Sequence, residues 1–146
     1  MEWITTLIAS FFGTMGFALL LHAPQRAWLP ASIIGGISYT SYILLLHLGA
    51  SQAAAMFIAA LVGSLLAQGC ARKMRMIATI FVTLSIVSLV PGLGLYRCME
   101  YLGAGQSEAG VRAGVSAMID IMMIALGVGV GSFLFRMLLV PRKAKH

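Results

Sequence analysis

Asp120 is the residue of this sequence most suited to chemistry, because it interrupts an apolar run as its single acidic residue. The run covers residues 113–140, and Asp120 lies seven positions into it. If the run crosses a membrane, Asp120 is about 10 Å deep at 1.5 Å per residue. A carboxylate inside a membrane costs about 2.5–3.5 kcal/mol unless it is paired or protonated. Such an acid suits proton exchange in a carrier. The alternatives are a structural hydrogen bond to a neighbouring Ser, Thr or backbone carbonyl, and a shallow group that is hydrated from outside.

A second candidate is the stretch from Pro91 to Tyr96, near the end of another apolar segment. Pro91 lacks an N–H and cannot continue a regular helix, while Gly92 and Gly94 loosen the following turn. Transporters use broken helices to bind solutes and ions, so this break is a candidate binding element. A simple proline kink, or an early helix end, is the alternative.

Two tyrosines, Tyr39 and Tyr42, are expected near the middle of a further apolar segment. Because tyrosines usually prefer the membrane interface, a central pair indicates either a polar path or hydrogen bonds between helices. The candidate substrate or ion path therefore consists of Tyr39, Tyr42, Pro91, Gly92, Gly94, Tyr96 and Asp120.

The sequence has no set of side chains typical of an enzyme or a metal site. No serine or cysteine lies in an activating motif, and the three histidines fall at the expected ends of apolar segments or in the C-terminal tail. No Cys and His residues have the spacing of metal ligands. We therefore predict no catalytic residue, no cofactor, no metal and no enzymatic activity.

The composition indicates that lipid surrounds the chain. Of its 146 residues, 60% are hydrophobic and 10% are charged, and the mean hydropathy is +0.97. Soluble domains carry about 25% charged residues, and in lipid the backbone satisfies its hydrogen bonds within helices. We predict an all-α, polytopic integral protein of the cell (inner or plasma) membrane. The net charge of +6 fits basic loops beside a bilayer, and no basic face suggests nucleic-acid binding.

The apolar segments predict about five transmembrane helices in a single domain, residues 1–146. About 20 apolar residues are needed to cross the hydrocarbon core of a bilayer. The first segment is too long and has the wrong flanks for a signal peptide, so we expect it to be retained as a span. A polar loop is expected from Arg97 to Arg112. The predicted spans are about 3–21, 28–47, 53–70, 76–96 and 113–140, with a tight turn predicted from Leu48 to Gln52, where glycine and serine interrupt the apolar run.

The lysines and arginines are shared unevenly between the two predicted sides of the membrane. One side carries eight of them, and the other carries only Arg97 and Arg112. Because cytoplasmic loops are rich in Lys and Arg, we expect the N-terminus outside and the C-terminus in the cytoplasm. The eight are Arg26, Arg72, Lys73, Arg75, Arg136, Arg142, Lys143 and Lys145.

Glycines are frequent in the last predicted span, where Gly127, Gly129 and Gly131 follow one another at alternate positions. Small residues let helix backbones approach closely in lipid. The pattern favours helix packing over a hinge.

Three groups of residues, in this order, resemble the small subunits of the threonine/serine exporter family. They are the segment Gly16 to Arg26 with its Pro24-Gln25-Arg26, the pair Gly35-Gly36, and Val90-Pro91-Gly92 followed by Tyr96. Length and hydropathy extend the similarity over nearly the whole chain. His22 stands where Asn is expected in the family, so no ligand role is carried over to it.

The resemblance implies an exporter of threonine and serine, with some members linked to small dicarboxylates. Fused members carry the whole transporter, whereas split members divide it between a large and a small subunit. If each half has an odd number of spans, the two halves of a fused protein insert in opposite orientations, which is a recurring transporter plan. We therefore expect a lipid-embedded chain that works with a larger membrane subunit on a small polar substrate. A non-transporting membrane scaffold or assembly protein and a homo-oligomeric channel are the alternatives.

Overall fold

The computed structural model describes residues 2–139, and this part of the chain is helical with no strand. The prediction of an all-α membrane protein is confirmed. The basic tail and the last residue of the fifth predicted span lie outside the described residues. The six helices are α1 (Glu2–Leu20), α2 (Gln25–His47), α3 (Gln52–Met74), α4 (Ala78–Val87), α5 (Gly92–Gly103) and α6 (Ser107–Leu139).

Turns of four residues separate the first three helices. Between α2 and α3, Gly49 adopts a positive φ of 84°, which a residue without a side chain reaches without strain. The hydroxyl of Ser51 then accepts a hydrogen bond from the backbone N–H of Ala54 at 3.4 Å and caps α3. The turn predicted from Leu48 to Gln52 is therefore present.

The helix break predicted at Pro91 is also present. Helix α4 ends at Val87, α5 begins at Gly92, and the two axes are bent by 49°. The loop predicted from Arg97 to Arg112 is wrong for most of its length, because only residues 104–106 separate α5 from α6.

The polar residues and glycines of that predicted loop belong to a helical hairpin. A Cβ at Gly110 would lie 2.7 Å from the side chain of Leu102. The glycine that suggested a loop is therefore a point where α5 and α6 approach closely.

Three helices, α2, α3 and α6, are each long and apolar enough to cross a membrane. The α4–α5 pair passes the same test as one bent span, and the apolar stretch identified in α1, Ile8–Leu20, is shorter. The described residues thus give three or four candidate spans of a multi-pass protein. The fifth span, the span boundaries and the orientation stay predictions.

Helices α3 and α6 run parallel, and glycines of α6 bring them together. Gly127 faces the backbone of α3, where an added Cβ would lie 2.5 Å from the carbonyl oxygen of Phe57. One turn later, a Cβ at Gly131 would lie 3.0 Å from the side chain of Ser64. Gly129, between them, has nothing within 4 Å of such a Cβ, so the glycines divide into two packing positions and one free position.

Small residues also hold α2, α3 and α4 together. The hydroxyl of Ser38 on α2 fills the place that a Cβ at Gly63 on α3 would need, and Ser85 on α4 lies 3.7 Å from the same place. Ser38 and Ser85 donate to carbonyls of their own helices, Ile34 and Val82, at 2.9 Å. Both hydroxyl groups therefore have hydrogen-bond acceptors, and the three helices can cross closely within lipid.

We expect Gly127→Ala to destabilise the protein and Gly129→Ala to leave it intact. The methyl group at position 127 would collide with a backbone oxygen, and overpacking of this kind costs about 1–3 kcal/mol. At position 129 alanine gains up to about 1 kcal/mol from helix propensity. Thermal unfolding in detergent measures both variants, and equal midpoints would contradict the packing described here.

Candidate functional site

A cavity of about 400 Å³ lies between α2, α3, α5 and α6, and we call it the Asp120 cavity. It brings together five of the seven residues predicted for the substrate or ion path, and these come from α2, α6 and the start of α5. Its lining residues are Tyr39, Tyr42, Gln52, Met56, Pro91, Leu93, Gly94, Arg97, Ala113, Ser116, Ala117 and Asp120.

Asp120 is buried, with 3% of its surface exposed. The amide nitrogen Nε2 of Gln52, the first residue of α3, donates a hydrogen bond to its Oδ2 at 2.5 Å. A hydrogen bond to a charged group offsets part of the hydration lost on burial. The carboxyl group is therefore held in place at the cavity wall rather than directed into lipid.

The other polar groups of the cavity come from α2 and α5. The half-buried rings of Tyr39 and Tyr42 lie 5.9 Å apart, centroid to centroid. Arg97 of α5 is exposed at the rim. The cavity thus combines a carboxyl group, a guanidinium group, an amide and two aromatic residues.

The broken span forms one wall of the cavity. Pro91 stands where the chain changes direction, and a Cβ at Gly94 would lie 3.4 Å from the methyl of Ala117. The missing side chain at Gly94 therefore keeps this part of α5 close to α6.

Two predicted site residues lie elsewhere. Gly92 starts α5, where an added Cβ would have no neighbour within 4 Å, and Tyr96 is 63% exposed. Neither residue lines the Asp120 cavity. The assignment of Gly92 and Tyr96 to the path stays a prediction with no contact to support it.

Sequence reasoning does not identify Gln52 and Arg97 as parts of the site. Gln52 belongs to the predicted turn between two spans, and it meets Asp120 across 68 positions of sequence. Arg97 falls in the predicted loop, but it lies three positions after Gly94 on α5. The 3.6-residue periodicity of a helix through Pro91 and Gly94 is the signal that places Arg97 beside them.

The arrangement can bind a small polar molecule, and it has no features of a metal centre. Among the described residues, no three His, Cys, Asp or Glu side chains are close enough to share a metal ion. The opposite charges of Asp120 and Arg97, together with hydrogen-bonding groups, instead suit a small polar solute.

The helices and the cavity define a multi-pass helical membrane protein with a polar cavity beside a broken span, an arrangement found in secondary transporters. The family model described as Threonine/Serine exporter, ThrE, matches residues 6–134. The chain belongs to the threonine/serine exporter family, and this membership supports a role in export. No solved structure matches the chain.

The packing of α5 on α6 can be tested with a native cysteine. A Cβ at Gly114 would lie 4.0 Å from the Cβ of Cys98, which is within the range of about 3.5–4.5 Å found in disulfides. We expect Gly114→Cys to form a disulfide with Cys98 under mild oxidation, detected by mass spectrometry after alkylation. Gly129→Cys is the matched control and should leave Cys98 and the new cysteine reduced. A reduced Gly114→Cys protein under the same conditions would contradict the position of α5.

Proposed function

We propose that the chain is a subunit of a secondary transporter that exports small polar metabolites across the cell membrane. The observation that carries the proposal is the Asp120 cavity, which places polar and charged groups beside a broken span in a member of an exporter family. Broken helices bind solutes in transporters because their unpaired backbone groups face protein or a cavity instead of lipid.

An amino acid of the threonine or serine type fits the charges of this cavity better than a small dicarboxylate. An amino acid carries one ammonium and one carboxylate group, for which Asp120 and Arg97 offer one partner each. Charge-assisted hydrogen bonds of this kind are stronger than neutral ones. A dicarboxylate would find one cationic partner and one carboxylate that repels it.

Asp120 also provides a means of coupling export to protons. Its carboxylate attracts the ammonium group of the solute, and a proton taken up from outside removes that attraction. Protonation therefore releases the solute outwards, and the proton continues inwards with the returning carrier. Proton exchange for solute is the mechanism that this buried acid supports.

A larger membrane subunit completes the transporter in this proposal. The resemblance to the small subunits of split exporters supports it, as does the exposure of Arg97 and Ser116 at the cavity rim, where a neighbouring subunit can cover them. Inverted halves commonly enclose the binding site of a transporter at their interface. Efflux by this chain alone, purified into lipid vesicles, would contradict the need for a partner.

We expect Asp120→Asn to lower threonine efflux from cells by about tenfold or more, the equivalent of about 1.4 kcal/mol of lost interaction. The asparagine oxygen can still accept from Gln52, so membrane abundance should be unchanged. Because the asparagine amide does not take up or release a proton at physiological pH, the remaining efflux should no longer vary with external pH. Ser41→Ala, outside the cavity, is the control. If the Asp120→Asn variant exported threonine at the same rate as the unchanged protein at every external pH, Asp120 would be excluded from the mechanism.

We expect Arg97→Gln to raise the KM for efflux by about tenfold, since the solute carboxylate loses a charged partner. The matched control is Arg112→Gln, because Arg112 instead forms an exposed ion pair with Glu108. Efflux of labelled threonine over a range of internal concentrations measures both variants. Equal KM values for the two variants would remove Arg97 from the binding site.

A further inference from the structure

A second polar cavity, of about 410 Å³, lies between α3, α4 and α6 toward the other end of α6, and we call it the Gln68 cavity. Ser132 lines it, twelve positions after Asp120, which corresponds to about 18 Å along the helix. The nearest lining residues on α6, Asp120 and Gly129, are nine positions apart, about 14 Å along the helix, so nearly half of a hydrocarbon core about 30 Å thick separates the two cavities. The second cavity is lined by Gln68, Ala78, Thr79, Val82, Gly129, Ser132, Phe133 and Arg136.

Gln68 is held rigidly at the wall of this cavity. Its side chain is 9% exposed, and its Nε2 donates to the hydroxyls of Ser132 at 2.9 Å and Ser64 at 3.3 Å. A buried amide with fixed partners in lipid indicates a position where a polar group is needed. The hydroxyl of Thr79 and the guanidinium of Arg136 belong to the same lining.

The charge of the Gln68 cavity differs from that of the Asp120 cavity. Its lining includes Arg136 and no acidic residue. It therefore favours a solute group that is negatively charged, and a carboxylate is the group that arginine binds best.

An apolar cluster separates the two cavities. Its buried members are Met56, Ala59, Ala60, Leu89 and Ile124, and Ile86 and Val128 pack against it. Met56 also lines the Asp120 cavity, and Val128 is next to Gly129 of the Gln68 cavity. We call this group the Leu89 cluster.

The same order is visible along α6. Asp120, Ile124, Val128, Ser132 and Arg136 follow one another at intervals of four positions, and such a row forms a continuous ridge on a helix. The ridge is polar at both ends and apolar in the middle. It connects the two cavities through the Leu89 cluster.

Leu89 lies in the break between α4 and α5, so its position depends on the bend of the broken span. It is 2% exposed, and its backbone N–H bonds to the carbonyl of Ile86 at 2.8 Å. A change in the 49° bend would shift Leu89 relative to Ile124. The break is therefore placed to open or close the apolar cluster.

We propose that the Gln68 cavity is a second binding site for the transported solute, facing the membrane side opposite to the Asp120 cavity, with the Leu89 cluster closing the path between them. The inference rests on the proposed export function. In an exporter the solute carboxylate enters at Arg136 and Gln68 from the cytoplasm. It then reaches Arg97 and Asp120 once the cluster opens.

Single cysteines test the proposal in a background without native thiols, Cys70→Ser with Cys98→Ser. Thr79→Cys reports on the Gln68 cavity, and Ser116→Cys reports on the Asp120 cavity. A membrane-impermeant maleimide is applied to intact cells and, separately, to inside-out vesicles. Both preparations contain the partner subunit that the cells express. We expect the two cysteines to be labelled from opposite sides, and millimolar L-threonine to slow labelling of Thr79→Cys.

Two further variants make the result specific. Ser41→Cys, which lines neither cavity, should show no protection by L-threonine. Leu89→Ser, combined with Ser116→Cys, should make the cysteine reactive from both sides because the apolar barrier is weakened. Labelling of Thr79→Cys and Ser116→Cys from the same side would overturn the proposal, and so would the absence of protection at Thr79→Cys.

The labelling result can be distinguished from failure of the proposed function, because labelling needs no net efflux. The two cysteines could be labelled from opposite sides, with protection by L-threonine, in a protein that exports no threonine. This result would contradict the export function and leave the two-site arrangement standing. Threonine efflux with both cysteines labelled from the same side would contradict only the second binding site, and the proposed export function would stand.

Discussion

The rest of the structure depends on the close approach of α3 and α6. Because apolar side chains gain little by leaving lipid for one another, contact between backbones must supply the association. Gly127 and Gly131 allow this contact along α3, and it fixes the register that sets Gln52 against Asp120 and Gln68 against Ser132. A shift by one turn would separate both polar pairs and leave a carboxyl group in lipid without a partner.

The parallel direction of α3 and α6 gives the broken span its role. The chain must return across the membrane between two parallel helices, and α4 and α5 together make that return. Since the return is bent at residues 88–91, α5 packs on α6 while α4 packs on α2 and α3. One broken element therefore supplies a wall to the Asp120 cavity, a residue to the apolar cluster and a wall to the Gln68 cavity.

The parts of the fold that depend on local chemistry can be predicted from the sequence. Turns at Gly49 and Ser51, the break at Pro91 and packing at Gly127 follow from properties of single residues. Asp120 stands out by its hydration cost alone. Its partner Gln52 does not, because contacts between distant helices depend on register, which polar composition does not encode. The hairpin of α5 and α6 escapes prediction because Gly110 serves close helix packing, a use that looks the same in sequence as a flexible loop.

Helix α6 has 33 residues and is about 50 Å long, whereas the oily layer of a bilayer is roughly 30 Å thick. The helix must therefore tilt, or about two fifths of it must stand in the headgroup region. Its first turns, with the Glu108–Arg112 ion pair and α5 alongside, are suited to stand there. The end of the α5–α6 hairpin then lies beyond the lipid tails, while the bent α4–α5 pair still crosses them. Because a helix longer than the hydrocarbon core adapts to bilayer thickness by tilting, we expect α6, with α5 packed on it, to stand more upright in thicker membranes.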